Sequence, residues 1–207
     1  TGQVITAGLI EPHSRLGLVE VELEPSTVDS SPGEAWGDGG PVRASFQVWE
    51  AYNSRSSAIP VTRVEGVTST VIVPSGGVIS GQGAWVDLTV GTQKEAVQNP
   101  SVGMVVRLGG SGHGSRALSL HRLGHALALA REFKSKERAW SNGEGPELEL
   151  ELEELRALFP VLNQEQPLVL YADRASDLEA ITRLVQKERI RAIVVGAAEG
   201  WLVAELL

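Results

Sequence analysis

The chain has 207 residues, 42% of them hydrophobic, and a formal net charge of −8. That length and apolar content support a globular domain with a sizeable core, while the acidic balance offers no electrostatic footprint for nucleic acid. No apolar run reaches the ~20 residues of a membrane-spanning helix, and the absence of cysteine excludes disulfides and thiolate sites while leaving the compartment open. The sequence starts at Thr1 without a methionine, so a trimmed end, with any signal peptide removed, is the expectation.

Residues 4–10 form an apolar run that reads as a strand buried on both faces. Pro12 ends it, because proline cannot donate to a ladder, and His13 follows just past the strand's carboxyl end. Residues 19–24 alternate Val and Leu with Glu, the period of an edge strand or extended arm. Residues 25–41 are rich in Ser, Gly, Asp and Pro and include Trp36, Gly37, Asp38, Gly39 and Gly40; they read as a surface loop, with a lid as the alternative. Val42, Phe46 and Trp49 stand at helical spacing and predict a short amphipathic helix over 42–52. A helix end before Gly66 precedes a β-branched run over 67–73, a buried strand.

Residues 75–77 and 80–83 lack the lysine and spacing of a phosphate loop and read as tight turns. Strands are predicted over 84–90 and 102–108. Ser115 caps a helix from 116 to about 140, with Leu118, Leu120, Leu123, Leu127, Leu129 and Phe133 as its apolar positions. His121 and His125 have the i, i+4 spacing that can share a metal. Arg122 occupies the place of the glutamate in a zinc-protease motif, so they read as two partly exposed helical histidines. A polar break spans 141–146, and a helix over 147–159 follows, ended by Pro160. Residues 167–171 predict a strand. Ser176 and Glu179 have the spacing of a capping box on a helix running to about 188. A strand at 190–195 and the start of a helix in 199–207 complete a βαβ unit, with parallel pairing and a right-handed crossover.

Three stretches together resemble the amidohydrolase superfamily, specifically its imidazolonepropionase-like members. The first runs Gly8, Leu9, Ile10, Glu11, Pro12, His13, Ser14, Arg15, Leu16, Gly17, where the family's first barrel strand carries the metal-binding H-x-H. The second is the long match over 63–82, from Arg63 to Gln82. The third comprises Tyr171, Ala172, Asp173, Arg174, Ala175, with Val195, Gly196, Ala197, Ala198, Glu199, Gly200, which parallels later barrel strands. The resemblance implies an α/β fold, a (β/α) TIM-type barrel of amidohydrolase kind. About six of eight strand units lie in one partial barrel domain spanning 1–207, with loop excursions at 20–41 and 141–146. It also implies a lineage of hydrolases acting on non-peptide C–N bonds, such as cyclic amides.

Carried over by position, the four family histidines fall on His13, Arg15, Asp173 and Gly196, and a family lysine and glutamate fall on Val105 and Gly110. His13 and Asp173 remain as candidate metal residues. Zinc requires about three protein ligands and an open position, and a guanidinium cannot ligate a cation. The expectation is a degraded metal site with no cofactor, zinc or another divalent metal being the candidate if any binds. The corresponding function is weak activity or a non-catalytic binding or scaffold role. The alternative is an active metal-dependent amidohydrolase whose rebuilt site is completed by a further C-terminal segment. Arg15 and Asp173 are expected to pair across the barrel mouth. Expected partners are a small-molecule ligand and a second copy of the chain; no nucleic acid and no membrane span are expected.

Overall fold

The computed structural model describes residues 2, 4–32, 42–109, 114–142, 145 and 148–207. Six strands build one sheet in chain order: β1 (Leu9–Ser14), β2 (Val67–Ile72), β3 (Ile79–Asp87), β4 (Val97–Arg107), β5 (Leu168–Ala172) and β6 (Ala192–Gly196). The pairs β1–β2, β4–β5 and β5–β6 are parallel, whereas β3 is antiparallel to both of its neighbours. The fold is therefore α/β with a mixed six-stranded half-barrel sheet, not a run of six like-oriented β/α units. The reason lies in the connection. Only residues 73–78 separate β2 from β3, too few for the dozen or more that a parallel crossover needs. Gly76 and Gly77, with φ of +83° and +70°, turn the chain straight back.

The strand at 80–83, expected as a turn, lies inside β3. Gly81 has φ +124° beside a register shift. A Cβ there would stand 2.6 Å from the Phe46 carbonyl oxygen, to which Gln82 N–H donates at 2.8 Å. The glycine lets a second backbone approach. That second backbone explains a further correction. Residues 42–47 run beside β3 through the bridges Val42–Ile79 and Gln47–Gln82, so the helix predicted over 42–52 shrinks to one 3₁₀ turn, Val48–Ala51.

β1 also departs from its predicted bounds. Residues 4–8 are exposed and lie outside it, and Pro12 sits within it. Because β1 is terminal in the sheet, one of its edges carries no ladder that proline could interrupt. Residues 19–24 contribute only a bridge, Val19–Val28. The predicted lid residues 36–40 lie outside the described residues.

Helices pack against the sheet. Between β1 and β4 stand α1 (Ala58–Val64) and the single turn α2 (Gln93–Ala96), which starts with a capping box of Thr92 and Glu95. Then come α3 (Arg116–Ser135), α4 (Glu137–Ser141), α5 (Leu152–Ala157), α6 (Phe159–Leu162) and α7 (Ala175–Glu188). Ser115 caps α3 by accepting from Leu118 N–H. Its buried stripe is Ser119, Leu123, Ala126, Leu127, Ala130 and Phe133, one helical face, with Leu118 left outside. Pro160 lies in the first turn of α6 instead of ending a helix, where its missing N–H costs nothing.

One core joins Met104, Val106, Leu168 and Leu170 of the sheet to Leu123, Leu127, Phe133, Leu155 and Leu178 of the helices; a second gathers around Leu18, Val48, Tyr52, Ile59, Ile72 and Val86. The parallel β5–α7–β6 unit matches its sequence reading. The helix anticipated after residue 199 is one 3₁₀ turn, Gly200–Leu202.

Candidate functional site at the carboxyl ends of the strands

Five strands run in one direction, so β1, β2, β4, β5 and β6 deliver their carboxyl ends to one rim. There the His13 ring of β1 lies 5.0 Å from the Tyr171 ring of β5, tilted by 57°. On a flat sheet these strands, four positions apart, would be separated by roughly 19 Å. The sheet is curled, and its ends converge on a shared mouth. Arg107, paired in register with Tyr171, lays its guanidinium 4.2 Å from the centre of the same ring and reaches the Pro74 carbonyl with Nη2 at 3.5 Å. His13, Tyr171 and Arg107 thus form a continuous stack.

The electrostatics of this stack are cationic. Burial, then the Arg107 charge, holds the His13 imidazole below its ordinary value, with Arg15 adding to the effect and Glu11 opposing it. Burial likewise lowers the Arg107 guanidinium and raises the Tyr171 phenol, each partly countered by the other. His13 Nε2, Arg107 Nε and the Tyr171 hydroxyl are buried and have no hydrogen-bond partner among the described residues. The β1 backbone is held firmly beneath them. Glu11 accepts from His13 N–H at 3.0 Å, and Ser14 Oγ lies 2.8 Å from Thr70 Oγ1 of β2.

Two cavities open beside Arg107. One, of about 290 Å³, is lined by His13, Arg15, Ser75, Gly76 and Arg107. The other, of about 420 Å³, is lined by Arg107, Tyr171, Asp173, Asp177, Arg116 and Gly196 among others. The two candidate metal residues therefore line different cavities, with Arg107 between them. Arg15 pairs with Glu22, so the expected Arg15–Asp173 pair is not formed. The turn after β1, fastened by Leu18 N–H to the Arg15 carbonyl, brings an acid seven residues away into reach before any acid on β5.

Gly196 ends β6 with φ +97°, a conformation that side chains rarely adopt. A Cβ there would overlap Asp173 Oδ1 and stand 3.3 Å from the Ala172 carbonyl. The residues around these positions hold the scaffold. Glu199 Oε2 accepts from Ala175 N–H at 2.8 Å at the start of α7, and buried Asp177 accepts from Arg116 Nε at 2.8 Å. Ser176 is inside α7, with Arg174 at the cap position, so the predicted capping box is replaced by the carboxylate of Glu199.

Val105 is fully buried in β4; Gly110 lies outside the described residues. Among the described residues, no three His, Cys, Asp or Glu side chains gather as a metal site. His121 and His125 are exposed on α3, their rings 6.3 Å apart, with His125 Nε2 3.1 Å from Glu149 Oε2. Arg107 and Tyr171 are the site residues that sequence reading missed. The signal was present: Arg107 is the one charge in an otherwise apolar run over 102–108.

A half-barrel with convergent strand ends belongs to the class of α/β folds that place their chemistry at this rim. In keeping with that, the chain is similar in structure to an amidohydrolase from Thermotoga maritima MSB8, with a TM-score of 0.83 and 20% identity. The match covers 98% of this chain and 54% of that one, so the chain spans about half the length of the structure it matches. No protein-family model matches the chain, and no curated protein does. Among the described residues, no helix is long and apolar enough to cross a membrane.

Proposed function

We propose that the protein is an amidohydrolase relative of imidazolonepropionase-like descent whose strand-end mouth binds a small molecule and has lost the metal-centred chemistry of its lineage. One observation carries this reading: His13 shares a cavity with Arg15 and Arg107, and no carboxylate lines that cavity among the described residues. A divalent cation entering there would meet one imidazole and two like charges, where zinc needs about three donors. The residues present do not fit the metal that the lineage implies. Gly196 supports the same reading, because its backbone conformation disfavours any ligand-bearing side chain.

A second reading has its own support. The unpartnered Nε2 of His13 is the kind of atom that a metal would engage, and Asp173 is exposed in the adjoining cavity. On that reading the protein is a metal-dependent hydrolase of non-peptide C–N bonds with a rebuilt site. Metal content per chain after dialysis, measured alongside hydrolysis of cyclic amides, separates the two. The first reading predicts well under one equivalent of zinc and no turnover; one equivalent with turnover overturns it.

We further propose self-association through the terminal strands. Leu9 and Ile10 of β1 and Ile193 of β6 are more than half exposed, and open edges invite pairing. Light scattering should find an oligomer, and a monomer at all concentrations would contradict this.

A further inference from the structure

We propose that the cavity between β1 and β4 is a binding site for a small oxyanion, the carboxylate or phosphate group of a small-molecule ligand, with Arg107 as its anchor. This deepens the metal-free reading of the same mouth and rests on it.

The argument begins with what lines the cavity. Of its five described lining residues, Arg15 and Arg107 are guanidinium groups, His13 is an imidazole, and Ser75 and Gly76 offer a hydroxyl and a backbone turn. Behind the turn lies a third guanidinium, that of Arg43, with Nη1 2.8 Å from where a Gly76 Cβ would be. Arg43 itself is buried. Arg15 and Arg107 line the cavity itself, and Arg43 stands behind its glycine turn. Among the described residues, the acids nearby do not line the cavity: Glu22 pairs with Arg15, and Glu11 accepts from the His13 N–H.

Arg107 is the less compensated of the two lining arginines, since Arg15 has Glu22. It is half-buried, its Nε is buried with no partner among the described residues, and its described contacts are a ring face and a 3.5 Å carbonyl. Burying a cation this way is costly unless a counter-charge is supplied. A planar or tetrahedral oxyanion supplies it, accepting from a guanidinium fork in the geometry that arginine favours. The cavity volume of about 290 Å³ admits an acid group with a short organic body. Tyr171, packed against both His13 and Arg107, fixes their relative position without adding negative charge.

The test is calorimetric titration of the full protein with inorganic phosphate and, separately, with acetate and succinate, before and after exhaustive chelation. In parallel the His13 ring resonance is followed by NMR. Saturable binding of at least one of the three anions is expected, unchanged by chelation and accompanied by a saturable shift of His13. Arg107→Gln should weaken it about tenfold or more, the loss of a charge-assisted hydrogen bond. Arg15→Gln, at an exposed side chain, should weaken it less but measurably. Arg183→Gln on the outer face of α7 should leave it unchanged.

Preference between phosphate and the carboxylates identifies the headgroup. Absence of saturable binding by all three overturns the inference while leaving the metal-free reading standing. Binding that disappears on chelation overturns that reading instead, since the anion would then be held by a metal. Binding that both Arg107→Gln and Arg15→Gln leave intact places the anion elsewhere and also overturns the inference.

Discussion

Gly196 is the position at which the family resemblance places a metal-binding imidazole, and its replacement by alanine asks whether β6 can carry any side chain there. Its φ of +97° lies well outside the left-handed well near +57° that other residues occasionally visit. Holding a residue with a Cβ in such a conformation costs ~1–3 kcal/mol. The added Cβ would also overlap Asp173 Oδ1 and press on the Ala172 carbonyl oxygen 3.3 Å away. Asp173 is exposed and can swing aside; the carbonyl cannot, because it accepts from Ala197 N–H at 2.7 Å. Backbone strain is therefore the dominant part of the cost.

Gly196→Ala should lose ~1–3 kcal/mol in urea denaturation, which for a chain of this size is a midpoint fall of roughly 2–12 °C on heating. Asp173→Ala alone should stay within about 0.5 kcal/mol of the parent. The double variant should recover only the overlap with Asp173 and remain well below the parent. A Gly196→Ala protein as stable as the parent would refute the claim that the backbone excludes a ligand at this strand end.

Two further perturbations probe the frame. Phe133 is fully buried, with its ring 6.0 Å from Trp140 and 5.7 Å from Phe159; Phe133→Ala should cost ~3–5 kcal/mol, read by urea denaturation, and a loss below about 1 kcal/mol would contradict its placement. Glu188 is buried where α7 meets α3. Burial alone would raise its carboxyl, but hydrogen bonding and charge from Arg131, then from Lys187, more than offset this and hold it below its ordinary 4.5. A lowered carboxylate stabilises the fold above its unfolded value and loses that contribution as pH falls through the folded value. The stability gap between the parent and Glu188→Gln should thus be constant near neutrality and narrow as pH drops below 4.5. A gap that widens on acidification would contradict the ion pair.

What the sequence made legible was local. The β5–α7–β6 unit and the Ser115 cap follow from short-range pattern, and the structure keeps them. The misread segments are those decided by distant partners. The spacing of Val42, Phe46 and Trp49 favours a helix, but pairing of residues 42–47 with β3 overrides it. Ser176 and Glu179 satisfy the capping-box pattern, yet Glu199 from beyond β6 takes over the capping role. Pro12 ends a strand by rule, but an unpaired edge removes the reason for the rule.

The site shows the same division. His13 and Arg15 were visible because a strand-end motif is contiguous. Arg107 and Tyr171 joined His13 only when curling of the sheet brought β4 and β5 against β1. Arg15 and Asp173 seemed natural partners by charge, but a turn supplied Glu22 first.

Diffraction from crystals soaked in zinc, recorded on both sides of the zinc absorption edge, bears most directly on the cationic mouth. On the proposed metal-free reading, no anomalous peak should appear within bonding distance of His13 Nε2. A peak there, with His13 and at least two further protein donors around it, would contradict the account.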